Sequence, residues 1–489
     1  MSRTGRTDAE RVSSHRADVV YGTARSFGYD YLSDNMAQTP RDRTSDEPFA
    51  VIVDEIDAVL LDDVAAPFQV STPTGVRIDF TAVTGAVALL GSDDVFVDAA
   101  RGSVALHPSG SRSLEVSLGV DDLYADRRLV QRVYAALSAR FLYRNGTDYV
   151  LVGADSDRRI LPIDRRTGRR VTARLNSGLH EALESKEGLP SLPPSVIRGR
   201  VSVQSLFTRY RVLGGMSGTA MACRDELDEH YARKVFQVPP NVASVRVDHP
   251  DRVYATANAR ASALSAEVAA RRNRQQPVLV VAESVEVCER MGELLGQLGE
   301  VRVLSARNPE MEAEILSRAG EPGAVTVATL MAGRGVDIVL GGDREDPGYA
   351  SKREQVLAAG GLAVISTARF GLARFDQQVR GRCGRQGDPG ETLFLLSLED
   401  DLPRTYAPEQ ISALITQNEE LPAALAARVF AAAQSKVEAE TVAARRAVLE
   451  LDKVLAEQRE EFYRYRAQLL QMPAWPRAAS VVHAVYDRA

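Results

Sequence analysis

An α/β fold with parallel sheets is predicted for most of this chain, and three observations predict it. Continuous apolar runs of strand length, such as residues 49–53 and 277–282, end in polar residues, which is typical of buried parallel strands. In the second half of the chain such runs alternate with helical stretches, which favours right-handed crossovers within one sheet. Residues 422–471 contain no glycine and only Pro422, so they predict one helix of roughly 75 Å at about 1.5 Å per residue.

The composition is that of a globular cytosolic protein. The chain has 489 residues, enough for about three or four domains, and 45% of them are hydrophobic. No run of about 18 apolar residues occurs and the N-terminus is polar, so we expect neither a membrane span nor an export signal. The cysteines, Cys223, Cys288 and Cys383, are far apart, which predicts neither a disulfide framework nor a zinc site. The net charge of −6 argues against a dedicated nucleic-acid binder.

The first part of the chain predicts one strand-and-helix pair and one buried strand. Residues 18–36 predict a short strand, a Gly-Thr turn and an amphipathic helix, and a polar linker follows at 39–48. Residues 49–57 are an apolar run that ends in acids. The carboxyl end of such a strand is where an α/β sheet places its chemistry.

The hydrophobic pattern of the sequence changes between about residues 71 and 190. Short alternating stretches at 94–98 and 149–153 surround a helical piece near 129–142, which predicts an inserted α+β module. A proline-containing loop at 191–195 marks its exit. An apolar segment then leads into a predicted glycine-rich turn at 214–220, which contains Ser217, Gly218 and Thr219.

A second α/β unit begins near Val247. It has a predicted helix at 284–298, and the long helix predicted at 422–471 follows it as a separate segment. Its predicted strands are 277–282, 301–304, 324–329, 361–366 and 392–397.

An acidic box ends the strand at residues 49–53. Asp54 is a candidate to hold Mg²⁺ through its water shell, and Glu55 a candidate to orient or deprotonate an attacking water. Acid pairs are common, so a helix cap or a solvated cluster explains this segment equally well when it is taken alone.

Two further boxes are rich in arginine and glycine. Residues 329–337 follow a strand and carry Gly333, Arg334 and Asp337, where glycines permit close approach to a nucleotide and the acid accepts from a ribose hydroxyl. Residues 376–390 carry Gln378 and then Arg382 and Arg385, and arginine suits bidentate contact with phosphate. An ordinary strand-to-helix turn and a solvated arginine loop are the alternatives for the two segments.

In order, the acidic box, Ser217-Gly-Thr219 and the two arginine boxes match two-lobed, helicase-like (RecA-like) motors. The sequence resembles the SecA family more closely than this fold class alone. The segments that carry the resemblance are residues 21–36, 53–57, 164–169, 178–188, 215–220, 328–338, 376–389 and 397–402.

The resemblance to SecA implies a domain plan. Residues 1–71 and 196–245 would form the first motor lobe, and 246–420 the second. Residues 72–195 would be the preprotein cross-linking domain, and 421–489 the start of the helical scaffold.

The resemblance also implies roles for single residues. Asp54 would hold Mg²⁺ and Glu55 would be the catalytic base. Gly333, Arg334 and Asp337 would bind nucleotide, and Ser217, Gly218 and Thr219 would couple the lobes. Gln378, Arg382 and Arg385 would face the phosphates.

The resemblance implies ATP and Mg²⁺ as cofactors, and no zinc. The expected partners are unfolded preproteins, the Sec channel at the membrane and a second SecA in a homo- or heterodimer, with no nucleic acid. The expected location is the cytoplasm, with peripheral association at the inner face of the plasma membrane.

Several features depart from the family pattern. None of the five lysines, Lys186, Lys234, Lys352, Lys436 and Lys453, follows a glycine, so the Gly-Lys pair of a phosphate loop is absent from this sequence. The loop is expected before Tyr21, where only twenty residues stand, and the wing domain is expected after Ala489. Ala368 and Phe370 replace the usual Glu and His.

Two hypotheses follow. The first is a SecA-like protein-exporting ATPase subunit, truncated at both ends and with impaired nucleotide binding. The alternative is a catalytically dead pseudo-motor that binds polypeptide or a partner SecA. A nucleic-acid helicase is less favoured, because residues 178–188 match the preprotein domain.

Overall fold

A computed structural model shows two compact units. The first comprises residues 1–73, 195–238 and 437–489, and the second comprises 74–194 and 239–436. The structure describes residues 8–44, 49–65, 67–73, 78–98, 102–153, 158–163, 174–175, 178–190, 193, 195–304, 311–330, 332, 335–412 and 423–472. The predicted match at 164–169 lies outside these residues.

The described helices and strands alternate along most of the chain. The helices are α1 Asp8–His15, α2 Ala24–Met36, α3 Thr81–Ala88, α4 Pro108–Leu118, α5 Arg127–Phe141, α6 Leu179–Lys186, α7 Val203–Phe207, α8 Arg224–Tyr231, α9 Ala257–Asn273, α10 Val285–Gly296, α11 Glu312–Arg318, α12 Tyr349–Ala358, α13 Ala373–Arg380, α14 Asp401–Tyr406, α15 Pro408–Ser412 and α16 Ala423–Gln471. The strands are β1 Ala50–Asp54, β2 Phe68–Pro73, β3 Val95–Asp98, β4 Ser103–Leu106, β5 Tyr149–Val152, β6 Arg159–Pro162, β7 Ser195–Val201, β8 Val212–Met216, β9 Val247–Asp248, β10 Arg252–Tyr254, β11 Val278–Ala282, β12 Arg302–Leu304, β13 Val325–Thr329, β14 Leu362–Ser366 and β15 Gly390–Ser397.

Seven of the described strands form the main sheet of the second unit. Their order is β10-β15-β14-β11-β13-β12, with β9 beside β15, and every pairing is parallel. The five strands predicted between residues 277 and 397 are therefore confirmed, and so is the helix predicted at 284–298, which is α10. The sheet places the carboxyl ends of β11, β13 and β14 side by side.

Both faces of this sheet are buried, which explains why its strands are continuous apolar runs. In β11, Leu279 and Val281 pack into one core cluster, while Val278 and Val280 pack into the cluster on the other face. Successive side chains of a strand point to opposite faces, so a strand covered on both sides needs apolar residues at every position. The two clusters are separate cores of one layered α/β fold.

Residues 74–194 have a core of their own. Hairpins β3/β4 and β5/β6 pair antiparallel, and α5 packs against α3 and α6. The largest fully buried side chains of this core are Phe80, Leu114, Leu123, Leu137, Tyr149 and Leu183. The strands predicted at 94–98 and 149–153 and the helix near 129–142 are confirmed.

The first unit contains a parallel pair, β1 and β8, and an antiparallel pair, β2 and β7. Residues 74–194 lie between β2 and β7 in the chain. The predicted strand at 18–21 is wrong, because no strand forms there and Val19 and Tyr21 are 78% and 98% exposed. A strand without a neighbour is not stable alone.

The glycine-rich turn predicted at 214–220 is only partly present, because Gly214 and Gly215 belong to β8. A Cβ on Gly215 would lie 2.5 Å from the backbone oxygen of Val53. Gly215 is therefore required for close approach of the two strands rather than for a turn. The turn itself is limited to Ser217, Gly218 and Thr219.

The predicted long helix is confirmed as α16, which has 49 residues. Its residues up to 436 belong to the second unit, and those from 437 belong to the first. In the part of the chain that the structure describes, no helix is both long and apolar enough to cross a membrane.

Candidate functional site

Three predicted site residues meet at one edge of the main sheet. Arg385 Nη1 lies 3.0 Å from Asp337 Oδ1, and Arg385 Nε donates to the Gly381 carbonyl at 3.0 Å. Arg382 is 8% exposed, and its Nη2 donates to the carbonyl of Leu330, immediately after β13. The structure therefore brings the two arginine boxes together. Gly333 and Arg334 lie outside the described residues.

A cleft of about 170 Å³ opens beside this pair and is predominantly basic. Its charged lining residues are Arg344, Arg353, Arg382 and Arg385 against Asp337 and Asp388. Arg353 Nη2 donates to Asp388 Oδ1 at 3.1 Å. Guanidinium groups bind phosphate oxygens well, so the cleft has the chemistry of a phosphate-sized anion site. Sequence reasoning missed Arg344 and Arg353, which lie outside the boxes and in no motif.

Helix α13 carries Gln378, which is half-buried, and leads directly to Arg382. In its first turn Asp376 is 3% exposed and accepts a hydrogen bond from Arg369 Nη1 at 2.8 Å. Burial raises the pKa of Asp376 above its usual value. Burial alone would lower the pKa of Arg369, but the charges of Asp376 and Asp251 raise it. This ion pair ties the helix to the loop that follows β14.

The acidic box of the first unit is confirmed at the end of a strand. Asp54 is the last residue of β1 and is exposed, and its Oδ1 accepts from the Glu55 amide at 2.9 Å. Glu55 has φ = +50°, a left-handed conformation that is rare for residues other than glycine. Such strain persists where surrounding structure imposes it, and it clusters at active sites.

Ser217, Gly218 and Thr219 form a short turn, called the coupling turn below. Thr219 links this turn to the acidic box by a hydrogen bond. Its Oγ1 donates to Asp57 Oδ2 at 2.7 Å, and its amide donates to Ser217 Oγ at 3.1 Å. Asp57 is fully buried, so this hydrogen bond satisfies a polar group that is removed from water. The pairing of β1 with β8 places Asp54 opposite Met216 and so brings the two segments together. The sequence marked Asp57 only as a member of the acidic box.

A larger cleft of about 1550 Å³ lies beside the acidic box, within the first unit. It is lined by Asp54, by the exposed side of β1 and by residues of α16 such as Glu460 and Tyr463. Ile52 and Phe49 are exposed on this side. The cleft has ample volume for a nucleotide.

The described residues contain no group of three or more His, Cys, Asp or Glu side chains placed to hold a metal ion. The cysteines are free and buried. Asp54 stays a predicted Mg²⁺ residue, and at a site of that kind a ligand and water supply the remaining oxygens.

Three family models match successive parts of the chain and define its class. A SecA DEAD-like domain matches residues 1–228, a SecA P-loop domain matches 243–421, and a SecA Wing and Scaffold domain matches 421–488. Together with the parallel sheet and the arginine cleft, these matches define a two-lobed, helicase-like protein with an inserted module.

Curated relatives give the particular family. The chain is 36% identical to the protein translocase subunit SecA of Symbiobacterium thermophilum, over 96% of this chain and 58% of the relative. It is 37% identical to that of Pelotomaculum thermopropionicum (94% and 57%) and 35% identical to that of Acidothermus cellulolyticus (94% and 50%). This chain belongs to the SecA family. It spans between 50% and 58% of the length of these three curated relatives.

A solved structure, the DUF1998 helicase MrfA bound to DNA, aligns with a TM-score of 0.28 and 16% identity. The alignment covers 43% of this chain and 31% of the MrfA chain. This similarity is too low to bear on the fold or the function.

Proposed function

We propose that this chain is a subunit of a SecA-type protein translocase that couples ATP binding and hydrolysis to preprotein movement through the Sec channel. The observation that carries the proposal is the pairing of Arg385 with Asp337 beside the buried Arg382. It joins the two arginine boxes into one basic cleft at the carboxyl edge of a parallel sheet, where α/β proteins bind nucleotides.

We assign the site residues the roles that membership of the SecA family implies, and the structure describes the positions of all of them except Gly333 and Arg334. Gln378, Arg382 and Arg385 face the phosphates, with Gly333, Arg334 and Asp337 contributing to nucleotide binding. Asp54, exposed at the end of β1, holds Mg²⁺ through water, and the ion supplies charge neutralisation for the phosphates. Glu55 accepts the proton of the attacking water. Ser217, Gly218 and Thr219 transmit changes at the acidic box through the Thr219–Asp57 hydrogen bond.

The domain plan expected from the sequence assigns the remaining roles. Residues 72–195 bind unfolded preprotein, 1–71 with 196–245 and 246–420 form the motor lobes, and 421–489 begin the scaffold. Support comes from the independent core of residues 78–190 and from the antiparallel pair β2/β7 at the ends of that segment. The protein works in the cytoplasm and at the inner face of the membrane, on the channel or with a second SecA.

A second candidate function rests on one sequence observation. No lysine follows a glycine in the 489 residues, so these residues supply no phosphate-loop lysine. That lysine neutralises the β- and γ-phosphates in P-loop motors. The alternative is a pseudo-motor that binds unfolded polypeptide or a partner SecA without hydrolysing ATP.

Two measurements on the same purified chain separate these candidates. The first is ATP hydrolysis with and without Mg²⁺, compared with Glu55→Gln. The second is fluorescence anisotropy of a labelled unfolded preprotein, without nucleotide. Hydrolysis that Glu55→Gln abolishes supports the ATPase. Preprotein binding without hydrolysis supports the pseudo-motor, and a flat titration together with no hydrolysis contradicts both.

A further inference from the structure

One polar side chain of the long helix is hydrogen-bonded to the helix that carries the arginine segment. Gln434 Nε2 donates to Asp376 Oδ2 at 2.7 Å and to the Phe370 carbonyl at 2.8 Å. Gln434 lies in the part of α16 that belongs to the second unit, and both acceptors belong to the same unit. The two bonds use both protons of the amide group, so they set its orientation.

The acceptors lie in the first turn of α13 and in the loop before it. The Phe370 amide donates to Asp376 Oδ1 at 3.0 Å, so the loop before α13 and its first turn form one hydrogen-bonded unit. Asp376 is almost completely buried, and a buried carboxylate must be paired or hydrogen-bonded. Arg369 supplies one partner and Gln434 another. Loss of Gln434 would leave Asp376 with one fewer donor.

Packing holds the same two helices together. Val429, Phe430 and Ala433 of α16 are buried in the core cluster that contains Phe375 and Val379 of α13. This apolar contact fixes the distance between the helices but permits sliding, whereas a hydrogen bond from an amide to a carboxylate is directional. The Gln434–Asp376 bond therefore selects one register of α13.

A shift of α13 would move the arginines. Five residues separate Asp376 from Arg382, and most of them belong to one short helix, which moves as a rigid element. Arg382 must reach the Leu330 carbonyl and Arg385 must reach Asp337, and both contacts tolerate only small displacements. An error of about 1 Å in a positioned group has large effects on phosphate chemistry.

We propose that Gln434 is a positioning residue that holds α13, and with it the arginine segment that follows α13, in phosphate-binding register through Asp376 and the Phe370 carbonyl. This inference rests on the proposed function for the identity of the ligand. It gives the beginning of the long helix a role in the nucleotide site, although Gln434 does not line the basic cleft.

The test uses the full chain with three variants. Gln434→Met keeps the length of the side chain and removes both donors. Gln434→Glu replaces the amide with a group that donates to Asp376 only when it is protonated. Lys436→Met is the matched control, because Lys436 lies one half-turn further along α16 and donates to the Tyr406 carbonyl at 2.8 Å, away from α13.

Amide hydrogen exchange of residues 369–385 is the first readout, and it needs no nucleotide. We expect Gln434→Met to raise exchange there about tenfold while β11 and β14 stay protected. Gln434→Glu should match that defect at about pH 8, where the new carboxyl group is ionised and cannot donate, and should recover as the pH falls to about 5.5, because burial beside Asp376 favours the protonated form. Among the described residues the charged group that faces Asp376 is Arg369, which also pairs with Asp251, and a guanidinium group keeps its charge throughout this window.

The affinity for a non-hydrolysable ATP analogue with Mg²⁺ is the second readout. Gln434→Met should weaken it about fivefold, Gln434→Glu should do so only at high pH, and Lys436→Met should leave it unchanged. Equal exchange defects in Gln434→Met and Lys436→Met, or a Gln434→Glu defect that does not depend on pH, would overturn the inference. A wild-type chain that binds no nucleotide contradicts the proposed ATPase, while the exchange result still decides whether Gln434 positions α13.

Discussion

Asp337 and Arg385 face each other across 3.0 Å, from Oδ1 to Nη1, although 48 positions separate them in the chain. Their side chains remain 53% and 41% exposed, so an incoming phosphate can reach the guanidinium group. The carboxylate holds Arg385 at the edge of the basic cleft without burying its charge. A pair of this kind contributes less than about 1 kcal/mol to stability.

Arg385→Ala should therefore weaken ligand binding more than folding. We expect about a tenfold loss of affinity for Mg²⁺-ATP analogues, because a hydrogen bond to a charged group is lost, with little change in Tm. Isothermal titration calorimetry measures the affinity. The matched control is Arg446→Ala, which breaks a similarly exposed arginine–glutamate pair, with Glu229 at 2.8 Å. A comparable loss of affinity in both variants would contradict a specific role for Arg385.

We expect Glu55 to be both a residue with a strained backbone and the catalytic base. Glutamate is unfavourable at the φ of +50° that this residue adopts, and asparagine tolerates this conformation better. We therefore expect Glu55→Asn to stabilise the first unit by about 0.5 to 1 kcal/mol. The same change removes the carboxylate that accepts the proton and should abolish ATP hydrolysis. Chemical denaturation and a phosphate-release assay measure the two effects.

The control for Glu55 is Glu55→Gln, which removes the charge but keeps a side chain unsuited to the left-handed region. It should abolish hydrolysis without raising stability. If Glu55→Asn and Glu55→Gln change the free energy of unfolding equally, the left-handed backbone conformation of residue 55 is not the cause of the change.

Thr219 is expected to support the coupling turn through its hydroxyl. Thr219→Val keeps the shape of the side chain and removes the donor to Asp57, which is fully buried. The expected loss is about 1 to 3 kcal/mol in the free energy of unfolding, measured by urea denaturation. Thr219→Ser keeps the hydroxyl and should recover most of this loss. Equal destabilisation by serine and valine would instead indicate that the methyl group is what matters.

The sequence predicted the main sheet well because burial on both faces leaves a continuous apolar run, as in β11. It did not predict that Gly215 lies inside a strand, since glycine is a turn residue by composition and only the approach of the Val53 carbonyl explains it. The strand expected at 18–21 was wrong because strand formation depends on a neighbour that local sequence does not reveal.

The candidate site was predictable only in part. The acidic box and the arginine segment carry their chemistry in consecutive residues, so their position at strand ends followed from the pattern. Arg353 is paired with Asp388, which is 35 positions away in the chain. Gln434 is hydrogen-bonded to Asp376, which is 58 positions away. Contacts of that kind depend on the tertiary fold, and no local periodicity encodes them.

Glu283 should make the stability of the second unit depend on pH. Burial, and then the nearby charge of Asp400, raise the pKa of Glu283 to about 7 from an ordinary value of 4.5. The native state therefore binds more protons than the unfolded state between these values, so stability is greatest at low pH and is lost as the pH rises towards 7. Asp400, whose pKa burial raises to about 6, acts in the same direction.

Glu283→Gln should remove most of this dependence, because the amide resembles the protonated acid. Since Glu283 is only partly buried, we expect the variant to be more stable than the wild type by about 1 to 2 kcal/mol at pH 7.5 and nearly equal to it at pH 5. Urea denaturation at both pH values measures the difference. Glu286→Gln, at an exposed position nearby in α10, should leave the profile unchanged. Parallel profiles for the wild type and Glu283→Gln would show that Glu283 is already ionised at pH 5, and that burial at the end of β11 does not perturb it.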